Sequence, residues 1–368
     1  MFTNPFPNAF GLDISDLSVK TVWLRNISHR RKSPSYELAV CRSAKLPHGL
    51  IVNGEIQEPE LVRKYIKHLL AGKKGEQKAI SGSWVVASLP ETQSFIKKLT
   101  IQKQQDEIIE DEILSAAKKH IPFDEDSYYT DWQIVPNETV KQNFTNILVG
   151  AVPKTIANSY TYLLESMGMG VISLEIEALS IARAMITAPK NYSGEARALL
   201  DLGATRSSFI IYDHDSVQFS ISIPFSGEMI TTALSQKLGI SYDDAEQRKI
   251  KCGLDSKEGK GKTFIIISTL TNQLADNVEK AIQFYYSHFP GANKITHITM
   301  CGGMANLKRL DKVLSLKLKI NAKPGRPWKN LMSKKPIPVD IEESLSYATA
   351  IGLALRAADN PFFRHNII

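Results

Sequence analysis

Cysteine is scarce in this chain, which has only three in 368 residues. Cys41, Cys252 and Cys301 lie far apart in the sequence, so they predict neither a disulfide framework nor the close spacing of a thiolate metal site. Such cysteine usage is typical of a protein that folds in a reducing compartment.

Long hydrophobic runs are also absent. No window holds about 18 consecutive apolar residues, so the sequence contains no candidate membrane span. The first ten residues carry neither a basic region nor a long apolar run, and we therefore expect no signal peptide. Together with the scattered cysteines, these absences predict a cytoplasmic protein.

The chain has no acidic excess, since 45 Lys and Arg residues against 38 Asp and Glu residues give a net charge of +7. A basic balance is compatible with nucleic acid, with an anionic membrane surface or simply with solvated faces. No basic run is interleaved with stacking aromatic residues, so we expect no nucleic-acid partner. Solvated faces are the preferred interpretation, and attraction to an anionic inner leaflet is the second.

The remaining composition is that of a folded chain long enough for two domains, with 43% hydrophobic residues. Apolar runs that predict strands alternate with helical periodicities, which indicates an α/β fold. The most linker-like segment is 188–195, APKNYSGE. The sequence therefore predicts two α/β halves that meet near this segment.

The segment 199–212 predicts a strand, a tight turn and a second strand. Gly203 allows a tight turn and the close approach of a ligand, while Ala204 and Thr205 can present N–H and O–H groups to a phosphate. Asp201, at the end of the first strand, is placed to hold Mg²⁺ through water. Taken alone, the pattern fits an ordinary polar hairpin equally well.

The same pattern occurs a second time at 10–24, where Asp13 follows an apolar residue and precedes a turn with Ser15, Ser18 and Lys20. The two copies lie almost half the chain apart. Two such hairpins, each opening one half, predict a duplicated fold that holds a ligand between its halves.

Two weaker motifs follow in the second half of the chain. Gly302 and Gly303 separate an apolar strand from a helix, which allows a flat ring or a phosphate to lie against the backbone. Close strand–helix packing is the alternative explanation. Glu246 and Lys249 lie one helical turn apart and are suited to ribose hydroxyls and to packing on adenine, or else form a surface ion pair of little worth.

Taken in order, the two Asp turns, the Glu–Lys helix and the Gly-Gly turn resemble the nucleotide-binding scheme of the actin-like ATPase superfamily. Other segments resemble the PilM-type proteins of type IV pilus assembly, and this resemblance covers almost the whole chain. These segments are 46–56, 116–135, 147–151, 160–168, 175–184, 224–228, 243–249 and 302–307.

The resemblance implies a duplicated actin-like, ribonuclease-H-like α/β fold with two lobes around a nucleotide cleft. The first lobe would comprise residues 1–195 and carry an inserted α+β subdomain at about 94–174. The second lobe would comprise residues 196–340, and a C-terminal helix within 341–368 would return to the first lobe.

The resemblance also implies that the cofactors are ATP and Mg²⁺. Asp13 and Asp201 would hold the metal through water, and Asp201 is the candidate catalytic residue. The candidate nucleotide-binding residues are Asp13, Ser15, Ser18, Lys20, Asp201, Gly203, Ala204, Thr205, Gly227, Glu246, Lys249, Gly302, Gly303 and Met304.

One departure from the family pattern concerns the first Asp turn, where Ser15 stands at the usual glycine position. The backbone then approaches a phosphate less closely, and Asp16 adds a carboxylate beside the expected triphosphate. A like charge at about 4 Å costs on the order of 1 kcal/mol in water and about 4 kcal/mol at a partly shielded site. We therefore expect weakened ATP binding unless Mg²⁺ or Lys20 offsets the repulsion.

The partner implied by the resemblance is the short cytoplasmic N-terminal tail of the membrane protein PilN. The tail would lie in a groove between the inserted subdomain and its neighbour, which places the protein at the cytoplasmic face of the inner membrane. Residues 121–123 are candidates for this groove, with core packing as their alternative role. The pilus motor ATPases and a second copy of the chain are further candidate partners.

Three functions follow from this resemblance. The leading hypothesis is an ATP-binding scaffold with weak or no turnover, because no residue looks like a strong general base. Asp201, Glu175 and Glu177 are the candidates to orient water, the two glutamates having surface salt bridges as their alternative. The runner-up is an active ATPase or sugar kinase. An FtsA-like, filament-forming division protein is disfavoured, since residues 359–368 are too short for a membrane helix and contain Pro361.

Overall fold

The computed structural model describes residues 4–28, 34–73, 75–135, 143–259, 261–333 and 335–359. Residues 359–368 bear on the FtsA-like alternative, and of these, residues 360–368 lie outside this part of the chain. The strands are β1 Phe10–Ser15, β2 Ser18–Asn26, β3 Tyr36–Lys45, β4 Ile51–Val52, β5 Glu55–Ile56, β6 Trp84–Leu89, β7 Phe95–Ile101, β8 Tyr128–Val135, β9 Thr145–Pro153, β10 Gly170–Ile176, β11 Glu195–Leu202, β12 Ser207–Asp213, β13 Ser216–Ile223, β14 Lys294–Cys301 and β15 Asn321–Pro324. The α-helices are α1 Pro59–Ala71, α2 Glu110–Lys118, α3 Lys154–Glu165, α4 Glu177–Met185, α5 Gly227–Leu238, α6 Tyr242–Cys252, α7 Lys262–His288, α8 Leu310–Leu318, α9 Ile341–Ser344 and α10 Ala348–Ala358.

The two large sheets repeat one arrangement. In the first sheet the order is β10-β6-β1-β2-β3, and in the second it begins β15-β14-β11-β12-β13. In each, the strand before the Asp turn pairs antiparallel with the strand after it and parallel with its other neighbour, β6 or β14. Both Asp turns therefore lie at the end of a buried central strand, as the duplicated pattern in the sequence predicts.

An additional module extends the second sheet. Strand β13 pairs with β7 at Phe219 and Lys97, and the sheet continues through β9 to β8. Helix α2 packs on this extension around Leu99, Ile113 and Ile147. The boundaries 94 and 174 of the inserted subdomain stay a prediction, and strand β10 at its end pairs with β6 of the first sheet.

The apolar periodicities at 104–120 and 341–356 each predict one continuous helix, and both helices are interrupted in the structure. The expected helix 104–120 begins with a 3₁₀ turn at Gln105–Glu107, which a capping box between Gln104 and Glu107 closes, and only α2 follows. The expected helix 341–356 is divided into α9, a 3₁₀ turn at Leu345–Tyr347 and α10. Its division has a physical reason, because the Leu345 carbonyl accepts a hydrogen bond from the Gly302 N–H at 2.9 Å instead of serving the helix.

Helix α10 returns to the first sheet and packs on β1, β2, β6 and α4. Two glycines permit this close approach. A Cβ on Gly11 would lie 2.5 Å from the Ala354 nitrogen, and one on Gly352 would lie 1.8 Å from the Ser180 carbonyl oxygen. No helix among the described residues is both long and apolar enough to cross a bilayer.

Replacing Gly352 by Ala is expected to lower the free energy of unfolding by about 1–3 kcal/mol or more, because the new methyl group must push α4 and α10 apart. Chemical denaturation without ligand measures this change. The matched control is Gly303→Ala, since a Cβ at Gly303 meets no atom within 4 Å. Equal stability of Gly352→Ala and the wild type would contradict the close packing of the two helices.

Candidate functional site

A cavity of about 240 Å³ lies where the two Asp turns meet. Ten of the fourteen candidate residues line it, and they come from the first Asp turn, the second Asp turn and the Gly-Gly turn. The lining residues are Asp13, Ser15, Leu17, Ser18, Lys20, Glu177, Asp201, Gly203, Ala204, Thr205, Arg206, Gly302, Gly303, Leu345, Ser346, Ala348 and Thr349. The structure thus brings together three turns that are distant in sequence, while their role in binding stays a prediction.

The first turn holds the Asp13 carboxylate in a fixed position. It accepts hydrogen bonds from Lys20 Nζ at 3.3 Å, from Ser15 Oγ at 3.2 Å and from Ser88 Oγ at 3.3 Å. Lys20 Nζ also donates to Ser18 Oγ at 2.9 Å. The candidate residues of this turn therefore form one hydrogen-bonded group at the wall of the cavity.

The second turn depends on its glycine. The Gly203 N–H donates to the Arg206 carbonyl at 2.9 Å, and a Cβ on Gly203 would lie 2.5 Å from that oxygen. Asp201 is partly buried and accepts a weak hydrogen bond from Cys301 Sγ at 3.5 Å. Burial raises the pKa of Asp201, and the negative charge of Asp13 raises it further.

The two glycines of the third turn serve different purposes. Gly302 has a φ of +81°, and a Cβ there would lie 2.3 Å from the Leu202 carbonyl oxygen, so it provides close strand packing. Gly303 faces open space, because a Cβ there meets nothing within 4 Å. Gly303 is therefore the position where a flat ligand group can approach the backbone.

The other four candidates lie outside the cavity wall but next to the second turn. Lys249 Nζ donates to the Gly227 carbonyl at 3.1 Å and to Glu246 at 2.6 Å, and a Cβ on Gly227 would lie 3.1 Å from Met304 Cγ. The Gly227 N–H donates to the Gly203 carbonyl at 3.1 Å. Lys249 is buried, so the Glu246–Lys249 pair is not the surface ion pair that the sequence left as an alternative.

Sequence reasoning missed Arg206 as a cavity residue, although it directly follows Thr205. Its guanidinium donates to Asp16 Oδ1 at 3.3 Å and to Glu177 Oε1 at 3.1 Å. The sequence also carries no sign that Leu345 and Ser346, in the 3₁₀ turn before α10, line the cavity, because no local pattern marks them. Glu177 was a candidate only for orienting water, and the structure places it in the cavity wall.

The repulsion of a bound phosphate by Asp16 stays a prediction, but the structure gives its carboxylate partners that the sequence did not indicate. Asp16 is 5% exposed, accepts the Gly54 N–H at 2.9 Å and pairs with Arg206. Its charge is therefore balanced within the protein. The surface interpretation of Glu175 and Glu177 is wrong, since both side chains are buried.

A second cavity, of about 290 Å³, lies between β8 and β9 of the additional module and β10, α4 and α10 of the first half. Strands β8 and β10 are each the last strand of their sheet. We call this cavity the groove. The residues lining it are Leu89, Ile96, Tyr129, Thr130, Asp131, Trp132, Gln133, Leu148, Gly150, Ala151, Val152, Ala157, Ser173, Leu174, Glu175, Ile176, Leu179 and Arg356.

The floor of the groove carries a buried ion pair. Glu175 accepts two hydrogen bonds from Arg183, both at 2.6 Å, and one from Arg356 at 2.7 Å. Burial opposes the ionisation of Glu175, but the two guanidinium groups more than offset it and hold the pKa below its usual range. The candidates at 121–123 do not line the groove; Ile121 is buried with α2, and Phe123 packs beside it.

Comparisons with known proteins bear on the family and the fold of this chain. A family model described as type IV pilus assembly protein PilM matches residues 11–358. The solved PilM-PilN type IV pilus biogenesis complex is similar with a TM-score of 0.79 and 20% identity, over 96% of this chain and 100% of that chain. MreB5 of Spiroplasma citri bound to AMPPNP is similar with a TM-score of 0.51 and 15% identity, over 94% of this chain and 95% of that chain.

Among curated proteins, the cell division protein FtsA of Enterococcus faecalis is 22% identical over 258 residues, which are 66% of this chain and 57% of FtsA. The match thus spans little more than half the length of that relative. These similarities confirm the expected actin-like fold class.

Replacing Glu177 by Gln tests a buried proton. Burial and the nearby Asp13, Glu91 and Asp201 raise the pKa of Glu177 from 4.5 to about 8, with Arg206 only partly opposing them. The folded protein then holds a proton that the unfolded chain has lost, so this contribution to stability is complete below the unfolded pKa and is lost as the pH rises through the folded pKa.

As the pH rises from about 5 to about 9, the wild type should therefore lose on the order of a few kcal/mol of unfolding free energy that the Glu177→Gln variant keeps. Urea denaturation at both pH values measures the difference, with Glu165→Gln on the exposed end of α3 as the control. A constant difference across this range would show that Glu177 is ionised in the folded protein.

Proposed function

Because the chain belongs to the PilM family of type IV pilus assembly proteins, we propose that it is a nucleotide-binding scaffold that holds the N-terminal tail of a PilN-like membrane protein. The observation that carries this proposal is the pair of cavities. One lies between the Asp turns and the other between the additional module and the first half.

The first cavity is the proposed nucleotide cleft. Gly303 lets a ligand approach the backbone, and Gly203 closes the second Asp turn at the cavity wall. Lys20 supplies a positive charge, and Asp13 and Asp201 supply two carboxylates. AMPPNP in the similar MreB5 structure supports a nucleoside triphosphate as the ligand.

The two carboxylates of the cleft suit Mg²⁺, which binds few protein ligands. They are too few for a metal ion that the protein side chains coordinate alone. No cluster of three or more His, Cys, Asp or Glu in the described part of the chain could hold an ion. Mg²⁺ commonly binds one or two carboxylates through water together with substrate phosphates. Asp13 and Asp201 would hold the ion in this way, and it would neutralise charge on the phosphates.

The proposed scaffold turns over ATP slowly or not at all. Hydrolysis needs a group that orients and deprotonates water. Asp201 is the best-placed candidate, but it is also a proposed ligand of Mg²⁺. Burial raises the pKa of Glu177 to about 8, so this carboxyl group is mostly protonated near neutral pH and cannot accept a proton from water.

The groove is the proposed peptide site. PilN is the partner in the similar solved complex, and the groove has the features that an extended peptide requires. Tyr129, Trp132 and Leu179 provide apolar surface, and the edge strands β8 and β10 provide backbone for strand addition. Arg356, whose side chain is 45% exposed, provides a polar anchor.

The two sites share the elements that would couple them. Glu175 lies in the groove and Glu177 in the cleft, on either side of Ile176. Helix α10 has Thr349 at the cleft and Arg356 at the groove. A nucleotide that shifts these elements would alter the groove, so we propose that ATP favours the peptide-binding conformation.

We further propose that the lobes correspond to residues 1–195 and 196–340. The inserted subdomain would occupy about 94–174, and a C-terminal helix within 341–368 would return to the first lobe. A PilN-like partner is a membrane protein, so the scaffold would work at the cytoplasmic face of the inner membrane. The net charge of +7 favours that surface, because the inner leaflet is anionic.

Replacing Gly303 by Leu should lower the affinity for Mg-ATP by at least about tenfold, because the side chain fills the space beside the backbone. Gly303→Ala should have a smaller effect. Isothermal titration measures both, and phosphate release is measured in parallel. Unchanged affinity would remove Gly303 from the site, and steady rapid phosphate release by the wild type would favour an ATPase or kinase instead.

Binding of a labelled peptide with the sequence of the PilN-like N-terminal tail should be tighter with Mg-ATP than without it, as fluorescence polarisation would record. Ser173→Trp fills the groove and should weaken peptide binding by at least about tenfold while ATP binding is kept. The control is Ser166→Trp, an exposed position after α3. Peptide affinity that is equal with and without ATP would refute the coupling, and unimpaired binding to Ser173→Trp would refute the groove.

A further inference from the structure

We propose that Arg206 binds the phosphate groups of the nucleotide and that Asp16 is its positioning residue. This inference rests on the proposed nucleotide cleft. It adds to that cleft a residue which neither the sequence motifs nor the comparisons assign to it, and the ligand it implies is the polyphosphate of a nucleoside di- or triphosphate.

The first observation is the supply of positive charge. Among the described residues that line the cleft, Lys20 and Arg206 are the only lysine or arginine side chains. Lys20 already pairs with Asp13 at 3.3 Å. A polyphosphate carries several negative charges, so a second cationic side chain beside Lys20 and the proposed Mg²⁺ strengthens its binding in a cleft that holds the carboxylates Asp13 and Asp201.

The second observation is the place of the guanidinium. Arg206 follows the second Asp turn, and its side chain is 14% exposed. Nη1 donates to Asp16 and Nη2 to Glu177, which belong to the first half of the chain. A guanidinium carries five N–H groups in a planar fork, so these two bonds leave donors for an anion in the same cavity.

The third observation is the fixed position of Asp16. Its Oδ1 accepts the Gly54 N–H at 2.9 Å, and the Gly54 carbonyl accepts the Tyr160 hydroxyl at 3.0 Å. The hairpin of β4 and β5 and helix α3 therefore hold the carboxylate from behind. A carboxylate held in this way orients the Arg206 fork before the ligand arrives, which reduces the entropy lost on binding.

The fourth observation, the charge balance around Arg206, distinguishes a phosphate-binding role from a purely structural bridge between Asp16 and Glu177. Burial and neighbouring carboxylates raise the pKa of Glu177 to about 8, so near neutral pH this partner supplies little negative charge to Arg206. Asp16 is then the main counter-charge of the guanidinium. This balance leaves Arg206 attractive to an incoming phosphate, whereas two ionised partners would compensate it fully.

The test compares ATP with adenosine in Arg206 variants of the full chain. In isothermal titration, Arg206→Gln should weaken ATP binding by about tenfold or more and leave adenosine binding unchanged, because only ATP has phosphates. Arg206→Lys keeps the charge but loses the fork, and it should fall between. The matched control is Arg197→Gln, which removes a guanidinium paired with Glu195 at the other end of β11 and should bind both ligands as the wild type does.

Asp16→Asn adds the positioning role to the test. It should weaken ATP binding less than Arg206→Gln does and should have no further effect when the two changes are combined, since the aspartate acts through the arginine. The double variant leaves no unpaired buried charge, so it is the measurement to use if Arg206→Gln alone does not fold.

The possible failures are distinguishable. Wild-type affinity of Arg206→Gln for ATP, or an equal loss of ATP and adenosine binding, would overturn the phosphate contact. Independent, additive effects of Asp16→Asn and Arg206→Gln would overturn the positioning role. A wild-type protein that binds no ATP would instead overturn the proposed nucleotide cleft.

Discussion

The close contact between α4 and α10 is the packing interaction on which both sites depend. Gly352 lets the two helices touch at Ser180, and Gly11 lets α10 lie directly on the first sheet. Helix α4 begins in the cleft at Glu177, and α10 begins there beside the Leu345–Tyr347 turn. Arg356 of α10 lines the groove, and Arg183 of α4 holds Glu175 at its floor. One pair of helices thus fixes the walls of two cavities.

The sequence predicted the turns of the cleft because their signals are local. An Asp after an apolar strand and a glycine at a tight turn can each be read within a few residues. The duplicated arrangement of the sheets follows from two such turns, which is why the fold class was predictable. By contrast, Arg206 finds Asp16 across 190 positions of sequence. No local pattern predicts a partner at that separation. The hydrogen bond between the Gly302 N–H and the Leu345 carbonyl is likewise unpredictable from a local pattern.

Asp16 shows how the partners of a charge escape a local pattern. Its position beside a phosphate-type turn predicts repulsion, which would be strongest for an unpaired carboxylate. The fold instead supplies Arg206 and a backbone N–H from the β4–β5 hairpin. The helix at 341–356 was misjudged for a related reason, since a distant glycine takes one of its carbonyl groups. In both cases a tertiary hydrogen bond outweighed the local preference.

The strand pairing of the additional module has a mechanical consequence. The module is encoded between strands of the first sheet, yet through β7 and β13 it is hydrogen-bonded to the second. If one half rotates against the other, either the β7–β13 pairing breaks or the module moves together with the second half. The opposite wall of the groove belongs to the first half. With the pairing intact, the width of the groove therefore changes with the angle between the two halves.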